Sequence, residues 1–186
     1  TVKGGTGHIV EYFGDGVANI SLTGRATVTN MGAEIGATTS LFPFDEKGRD
    51  YLKATDRSDL AELTLGLDAR FKADAEVEEN PEKYYDQVIH IDLDKLEPHL
   101  VGPFTPDAAN ELTPLKAVIR EKGYPVELSA AMIGSCTNSS YEDLDRAASI
   151  AKQALAKGLK AKTYFGITPG SEQVRATIEE NGPVSY

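Results

Sequence analysis

Residues 126–186 carry the pattern that most limits how this chain can fold. Val126–Ile133 reads as a strand, and Gly134-Ser135-Cys136-Thr137-Asn138 as the turn that ends it. Ser139 and Ser140 each precede an acid by three residues (Glu142, Asp143), which is the capping-box signature of a helix start. Leu144, Ala147, Ala148, Ala151 and Leu155 then recur at helical spacing until Gly158 stops the helix. Ala161–Ile167 reads as a second strand, Thr168-Pro169-Gly170-Ser171 as a second turn and cap, and Glu172–Glu180 as a second helix. Two strands separated by one helix cannot pair through a tight hairpin. The order therefore predicts adjacent parallel strands with Ser140–Lys157 as a right-handed crossover.

The upstream pattern is more broken. Gly7–Gly14 reads as a strand between glycines, and Asp15-Gly16 as a turn. From Ser21 to about Thr39 small residues and threonines predominate. If this stretch is helical, Thr23, Thr27, Asn30 and Glu34 form one polar stripe. Helices are expected over Glu46–Ala54, over Asp59–Leu67 after Ser58 as N-cap, and over Thr113–Lys122 before Gly123. Gln87–Leu93 alternates apolar and polar and is expected to be a strand, and Gly102-Pro103-Phe104-Thr105-Pro106 a rigid connection. A boundary between two sub-domains is expected between Phe104 and Val126. The fold class is α/β, a mixed sheet followed by a β-α-β-α parallel unit.

Charge narrows the partners. The net charge is −10, against the clustered Lys and Arg that phosphate backbones need, so no DNA partner is expected. The excess is local: residues 41–100 hold 16 acids and 8 bases, and residues 74–82 read as a solvated acidic loop. Residues 1–40 hold five charges but 8 of the 17 glycines, so this segment is either tightly packed or faces something other than water. A single cysteine rules out an intramolecular disulfide. No apolar run approaches the ~18 residues of a membrane span, so no membrane partner is expected. The first seven residues lack the apolar core of a signal peptide.

Few residues stand out chemically. Cys136 follows a strand and precedes a capped helix, where free N–H groups and the helix dipole favour a thiolate. It is expected to be partly exposed and to titrate below the free thiol value, with Asn138, Ser139 or Ser140 capping the helix. A lone cysteine is, however, most often a small buried apolar residue. Asn30 and Glu34 could project an amide and a carboxylate together from a nearly uncharged segment, or form an ordinary solvated helix face. His8, His90 and His99 have no metal-ligand spacing.

Longer motifs carry a resemblance. Residues 30–40 (NMGAEIGATTS), 133–143 (IGSCTNSSYED), 165–173 (FGITPGSEQ) and 102–107 (GPFTPD) resemble the aconitase (aconitate hydratase) family, and more closely its mitochondrial-type branch than isopropylmalate isomerase. The likeness runs from Val2 to about Val184. It implies a hydro-lyase of the tricarboxylic acid cycle that interconverts citrate and isocitrate through cis-aconitate. It also implies a [4Fe–4S] cluster on three cysteines, whose fourth iron acts as a Lewis acid. By that resemblance Cys136 matches the first ligand, Glu34 an acid beside the iron-bound oxygen, and Asn30 an amide beside the cluster. Thiolates suit iron, and a nearby carboxylate can manage a proton.

The resemblance also implies what to expect of the whole. The family's other two ligands form a Cys-x-x-Cys pair beyond Tyr186. The chain is thus expected to be an internal fragment of the iron–sulfur region, with domain two over 1–105 and the start of domain three over 106–186. No cluster is expected to bind this fragment, and no activity in isolation. Its partners would be the remaining aconitase domains and, in the complete enzyme, citrate or isocitrate; its location would be the mitochondrial matrix or a bacterial cytoplasm. Alternatives are a fragment of a related hydro-lyase and a free-standing binding or structural domain. Arg25 stands where familiar members carry Met.

Overall fold

The structure is a computed structural model and describes residues 4–135 and 137–181. The chain divides into two compact units, 1–116 and 117–186. In the first, strand β1 (Ile9–Glu11) leads through a 3-10 turn at Asp15–Asn19 to helix α1 (Leu22–Asn30). The Ser21 hydroxyl accepts the Gly24 amide at 3.1 Å and so caps α1. A second 3-10 turn, Met31–Ala33, extends α1, and strand β2 (Thr39–Leu41) returns to pair in parallel with β1, Ile9 opposite Thr39.

Helices α2 (Glu46–Ala54), α3 (Ser58–Leu63), α4 (Ala75–Glu79) and α5 (Pro81–Tyr84) follow, with a 3-10 turn at Asp68–Phe71. The α3 helix begins one residue earlier and ends four residues sooner than its sequence pattern suggests. Thr64 shortens it: its hydroxyl takes the Ala61 carbonyl at 2.7 Å, and the last amides bond to i−3 rather than i−4. The acids of the 74–82 stretch are exposed.

Strands β3 (His99–Val101) and β4 (Ala109–Glu111) form an antiparallel pair, His99 opposite Glu111. The expected mixed sheet is therefore two separate two-stranded sheets, one parallel and one antiparallel. Gly102–Pro106 is part of the connection between β3 and β4. Gln87–Leu93 joins no ladder among the described residues, and Ile89 on it is 72% exposed. Alternation gives a segment two faces, but a strand also needs a neighbour to bond.

The division between the units falls near the start of α6 (Leu115–Lys122). In the second unit, β5 (Ala130–Gly134) and β6 (Tyr164–Thr168) pair in parallel, joined through α7 (Tyr141–Ala156), and α8 (Glu172–Asn181) follows. This is the predicted β-α-β-α order. β5 starts later than the apolar run because its partner offers five residues only, so Val126 and Leu128 stay outside the ladder and exposed. Among the described residues of this unit, Leu144 and Ala148 of α7 and Ile178 of α8 are the buried apolar ones, whereas Leu155, on the last turn of α7, is exposed.

The strand ends approach so closely that side chains are excluded. Gly134 has φ +146°, and a Cβ there would stand 2.4 Å from the Thr168 carbonyl oxygen. Ser140, not Asn138 or Ser139, is the cap of α7. Its hydroxyl accepts the Asp143 amide at 3.2 Å while Asp143 accepts the Ser140 amide at 3.2 Å. Ser140→Ala is expected to lower the stability of the second unit by about 1 kcal/mol, the usual worth of such a cap. Denaturant melts of the native chain and the variant measure it, and equal midpoints would show that the box contributes nothing.

Candidate functional site

Asn30 and Glu34 sit at either end of the 3-10 turn that prolongs α1. The Glu34 amide bonds to the Met31 carbonyl at 3.2 Å, and both side-chain positions are exposed. Asn30 lines a hollow of about 370 Å³ together with Ala26, Thr29, Gly32, Thr38 and Ser40. Glu34 stands beside this hollow rather than in its lining. The helix thus ends at Asn30 and Glu34 follows across a 3-10 turn, so the expected helical stripe does not run on to Glu34.

The hollow is bounded by α1 on one wall and β2 on the other. Gly32 lets the turn lie on β2: a Cβ there would stand 2.6 Å from Ser40 Oγ. That hydroxyl is buried and, among the described residues, has no hydrogen-bond partner. Sequence reading gave no sign of it, because a serine's isolation depends on what folds over it.

Arg25 is the other residue that sequence reading did not place. Its side chain is 2% exposed, and it donates to the carbonyls of Ile20 (3.2 Å), Pro43 (3.0 Å) and Val17 (3.0 Å) and to Asp45 Oδ2 (2.6 Å). Its guanidinium also lies 5.9 Å from the centre of the Phe42 ring. Its ion pair is with Asp45. Burial pushes the Asp45 carboxyl up, but the hydrogen bond and charge of Arg25 and the amides of Gly48 and Lys47 outweigh it. Asp45 is held below the usual aspartate range. A second hollow, about 580 Å³, opens between Tyr12, Phe42, Asp45, Arg70 and Phe71.

In the second unit the segment between β5 and α7 is described on either side of position 136. Cys136 itself lies outside the described residues. Ser135 has φ +96° and its carbonyl accepts the Ser139 hydroxyl, while the Ser139 carbonyl accepts the Gly170 amide at 3.1 Å. Ser139 is buried, and the turn is followed directly by the capped start of α7.

The chain belongs to the aconitase family (aconitate hydratase), whose sequence pattern matches residues 1–186. It is 57% identical to the mitochondrial aconitate hydratase of Gracilaria gracilis and 59% to a probable mitochondrial aconitate hydratase of Caenorhabditis elegans. Each match covers 182 residues, 98% of this chain and 23% of the relative. The mitochondrial aconitate hydratase of Emericella nidulans is 56% identical over the same length. The chain thus spans less than a quarter of the length of these relatives.

An iron–sulfur cluster is implied by this family. The chain holds one cysteine, and among the described residues no three His, Cys, Asp or Glu side chains are placed to share a metal ion. Its own donors do not suffice for a cluster that needs three thiolates, so the chain can supply one of them at most. No helix among the described residues is long and apolar enough to cross a membrane.

Arg25→Met is expected to cost about 3–5 kcal/mol by stranding Asp45 in a mostly buried position, whereas Glu34→Gln should stay within about 1 kcal/mol. Urea melts at neutral pH compare them directly. Because Asp45 titrates low in the folded chain, its stabilisation is complete above the ordinary aspartate value of ~4 and fades as pH falls further. The stability gap between the native chain and Asp45→Asn should therefore be flat above about pH 5 and narrow below pH ~4. A gap that widens on acidification would contradict the assignment.

Proposed function

We propose that this chain is part of an aconitate hydratase, a hydro-lyase that isomerises citrate and isocitrate. The observation that carries the reading is the family match over the whole chain, joined to the exposed placement of Asn30 and Glu34 at the end of α1. In this reading Glu34 holds and moves the proton of the substrate hydroxyl. Asn30 offers its amide as a hydrogen-bond donor beside the reacting group. Cys136 gives one thiolate to a [4Fe–4S] cluster completed by residues outside the chain; when bound, that cluster supplies a Lewis acid. The relatives' names favour this over a related hydro-lyase, and favour a mitochondrial location.

The chain's surface supports a role within a larger protein. Among the described residues the buried apolar side chains are five, all but Leu144, Ile178 and Val17 being alanines. Ile89, Ile91, Leu96, Val101 and Phe104 meanwhile stay exposed, Phe104 at 89%. Apolar side chains so concentrated along 89–104 suit contact with other domains of the enzyme better than contact with water. We place the chain as domain two over about 1–105 and the start of domain three beyond it.

The test is a chimera in which this chain replaces the matching segment of the Gracilaria gracilis enzyme. It should interconvert citrate and isocitrate, and the isolated chain should not. Glu34→Gln in the chimera should lower turnover by ~10²–10⁴-fold at unchanged iron content, the scale of a general acid–base contribution. Turnover within about twofold of the unsubstituted chimera would remove Glu34 from the role assigned to it.

A further inference from the structure

We propose that Gly32 is a positioning residue for Glu34: its bare Cα lets the turn that leads into Glu34 rest against Ser40 of β2. This rests on the functional reading above. The turn Met31–Ala33 lies between Asn30 and Glu34, and Gly32 is its buried residue, whereas Met31, Ala33 and Glu34 are exposed. Gly32 and Ser40 both line the hollow, so their contact is part of its wall. A Cβ on Gly32 would stand 2.6 Å from Ser40 Oγ, but 3.7 Å from Ser40 Cβ and 3.8 Å from Ala37 Cβ. One oxygen atom therefore sets how closely the turn approaches the strand. The far side of the loop is held as well. The Gly32 carbonyl accepts the Ala37 amide at 3.0 Å, the Ile35 carbonyl accepts the Gly5 amide at 2.9 Å, and the His8 carbonyl accepts the Thr38 amide at 2.8 Å. Thr6 and Ala37 also form a bridge. Glu34 thus sits between Gly32 and a stretch held from Ile35 onward, and a push at Gly32 has to be taken up where Glu34 is.

The choice of residue supports this role. Backbone conformation does not call for glycine at 32, which lies in a helical turn and is not among the glycines with positive φ. Alanine is favoured over glycine in such a turn. What glycine supplies is space. Ser40 Oγ has no partner among the described residues, so alanine at 40 forfeits no hydrogen bond. It would also leave a Cβ at 32 with 3.7 Å, an ordinary contact. The two positions are thus coupled: alanine fits at 32 only once the serine oxygen is gone. Gly48 provides the comparison within the same unit. It is buried in α2, and a Cβ there would stand 2.4 Å from the Phe44 ring, but neither residue lines the hollow.

The experiment uses the full-length chimeric holoenzyme, assayed well below its melting temperature. Gly32→Ala should lower kcat by about 10–100-fold, the scale of a catalytic group misplaced by about 1 Å, with KM changed less than about threefold and cluster absorbance per protein unchanged. The double variant Gly32→Ala/Ser40→Ala removes the obstructing oxygen. It should return kcat to within about threefold of Ser40→Ala alone, and it decides the matter where Gly32→Ala does not fold. Gly48→Ala should keep kcat within about twofold even where it lowers the melting temperature as much as Gly32→Ala does. The proposal is overturned if Gly32→Ala keeps the kcat of the unsubstituted chimera, which would mean that Ser40 turns aside. It is equally overturned if the double variant recovers neither folding nor kcat, or if the Gly32 and Gly48 variants lose kcat in step with stability. Glu34→Gln in the same chimera separates the two claims: lost turnover there with kcat intact in Gly32→Ala removes only the positioning role, and intact turnover in Glu34→Gln removes both.

Discussion

A guanidinium almost without water contact has to find every partner inside the protein, and in the first unit Arg25 does so across three stretches of chain. Val17 and Ile20 bring the approach to α1, Pro43 brings the exit of β2, and Asp45 brings the start of α2. Asp45 is shared: its other oxygen accepts the Lys47 amide at 3.1 Å and so caps α2. The orientation of α1 and the beginning of α2 are thus tied through one carboxylate. Ion pairs of this kind add little net stability compared with apolar packing. What the fork adds is direction, since its acceptors lie on three stretches of chain. The Tyr12–Phe42 stack, with centroids 4.5 Å apart, lies against this arrangement and shields it.

The second unit solves a similar problem with small residues. Its two strands end at glycine and threonine because the backbones meet too closely for a side chain at Gly134. The two following turns are then linked, Gly170 donating to Ser139, and Ser139 is fully buried where they meet. Each turn leads directly into a helix with a serine at its start, since Ser171 accepts the Val174 amide at 3.1 Å as Ser140 accepts that of Asp143.

What could be read in the sequence follows the range of the interactions involved. The Ser140–Asp143 box and helix α2 depend on residues a few positions apart, and the pairing of β5 with β6, Ala130 opposite Tyr164, follows from the local strand–helix–strand order; these are visible in a string of letters. That Asn30 and Glu34 lie near one another along the chain was legible for the same reason, although only Asn30 lines the hollow. The Arg25–Asp45 pair was not, because twenty positions separate the partners and nothing local distinguishes Asp45 from its acidic neighbours. The strand expected at 87–93 failed on the same ground: period two was present, but whether another strand lies alongside is a tertiary fact. Roles for Cys136, Glu34 and Asn30 came from long motifs and not from spacing.

The sparse charge of residues 1–40 left two readings open, a packed core or a surface that faces something other than water. Within the described part of this segment the buried positions are Gly5, Val17, Arg25 and Gly32, so most of it is surface. A surface with few charges and many small residues is poorly matched to bulk solvent and well matched to close approach by another part of a protein. This bears on the proposed chemistry. Electrostatic stabilisation and proton transfer gain most where water is excluded and the local dielectric is low. Asn30 and Glu34, exposed at the rim of an open hollow, have the functional groups for such work but not that environment. In the proposed reading the covering domains supply it, so the low charge of this segment and the weak chemistry expected of the chain by itself have one physical origin.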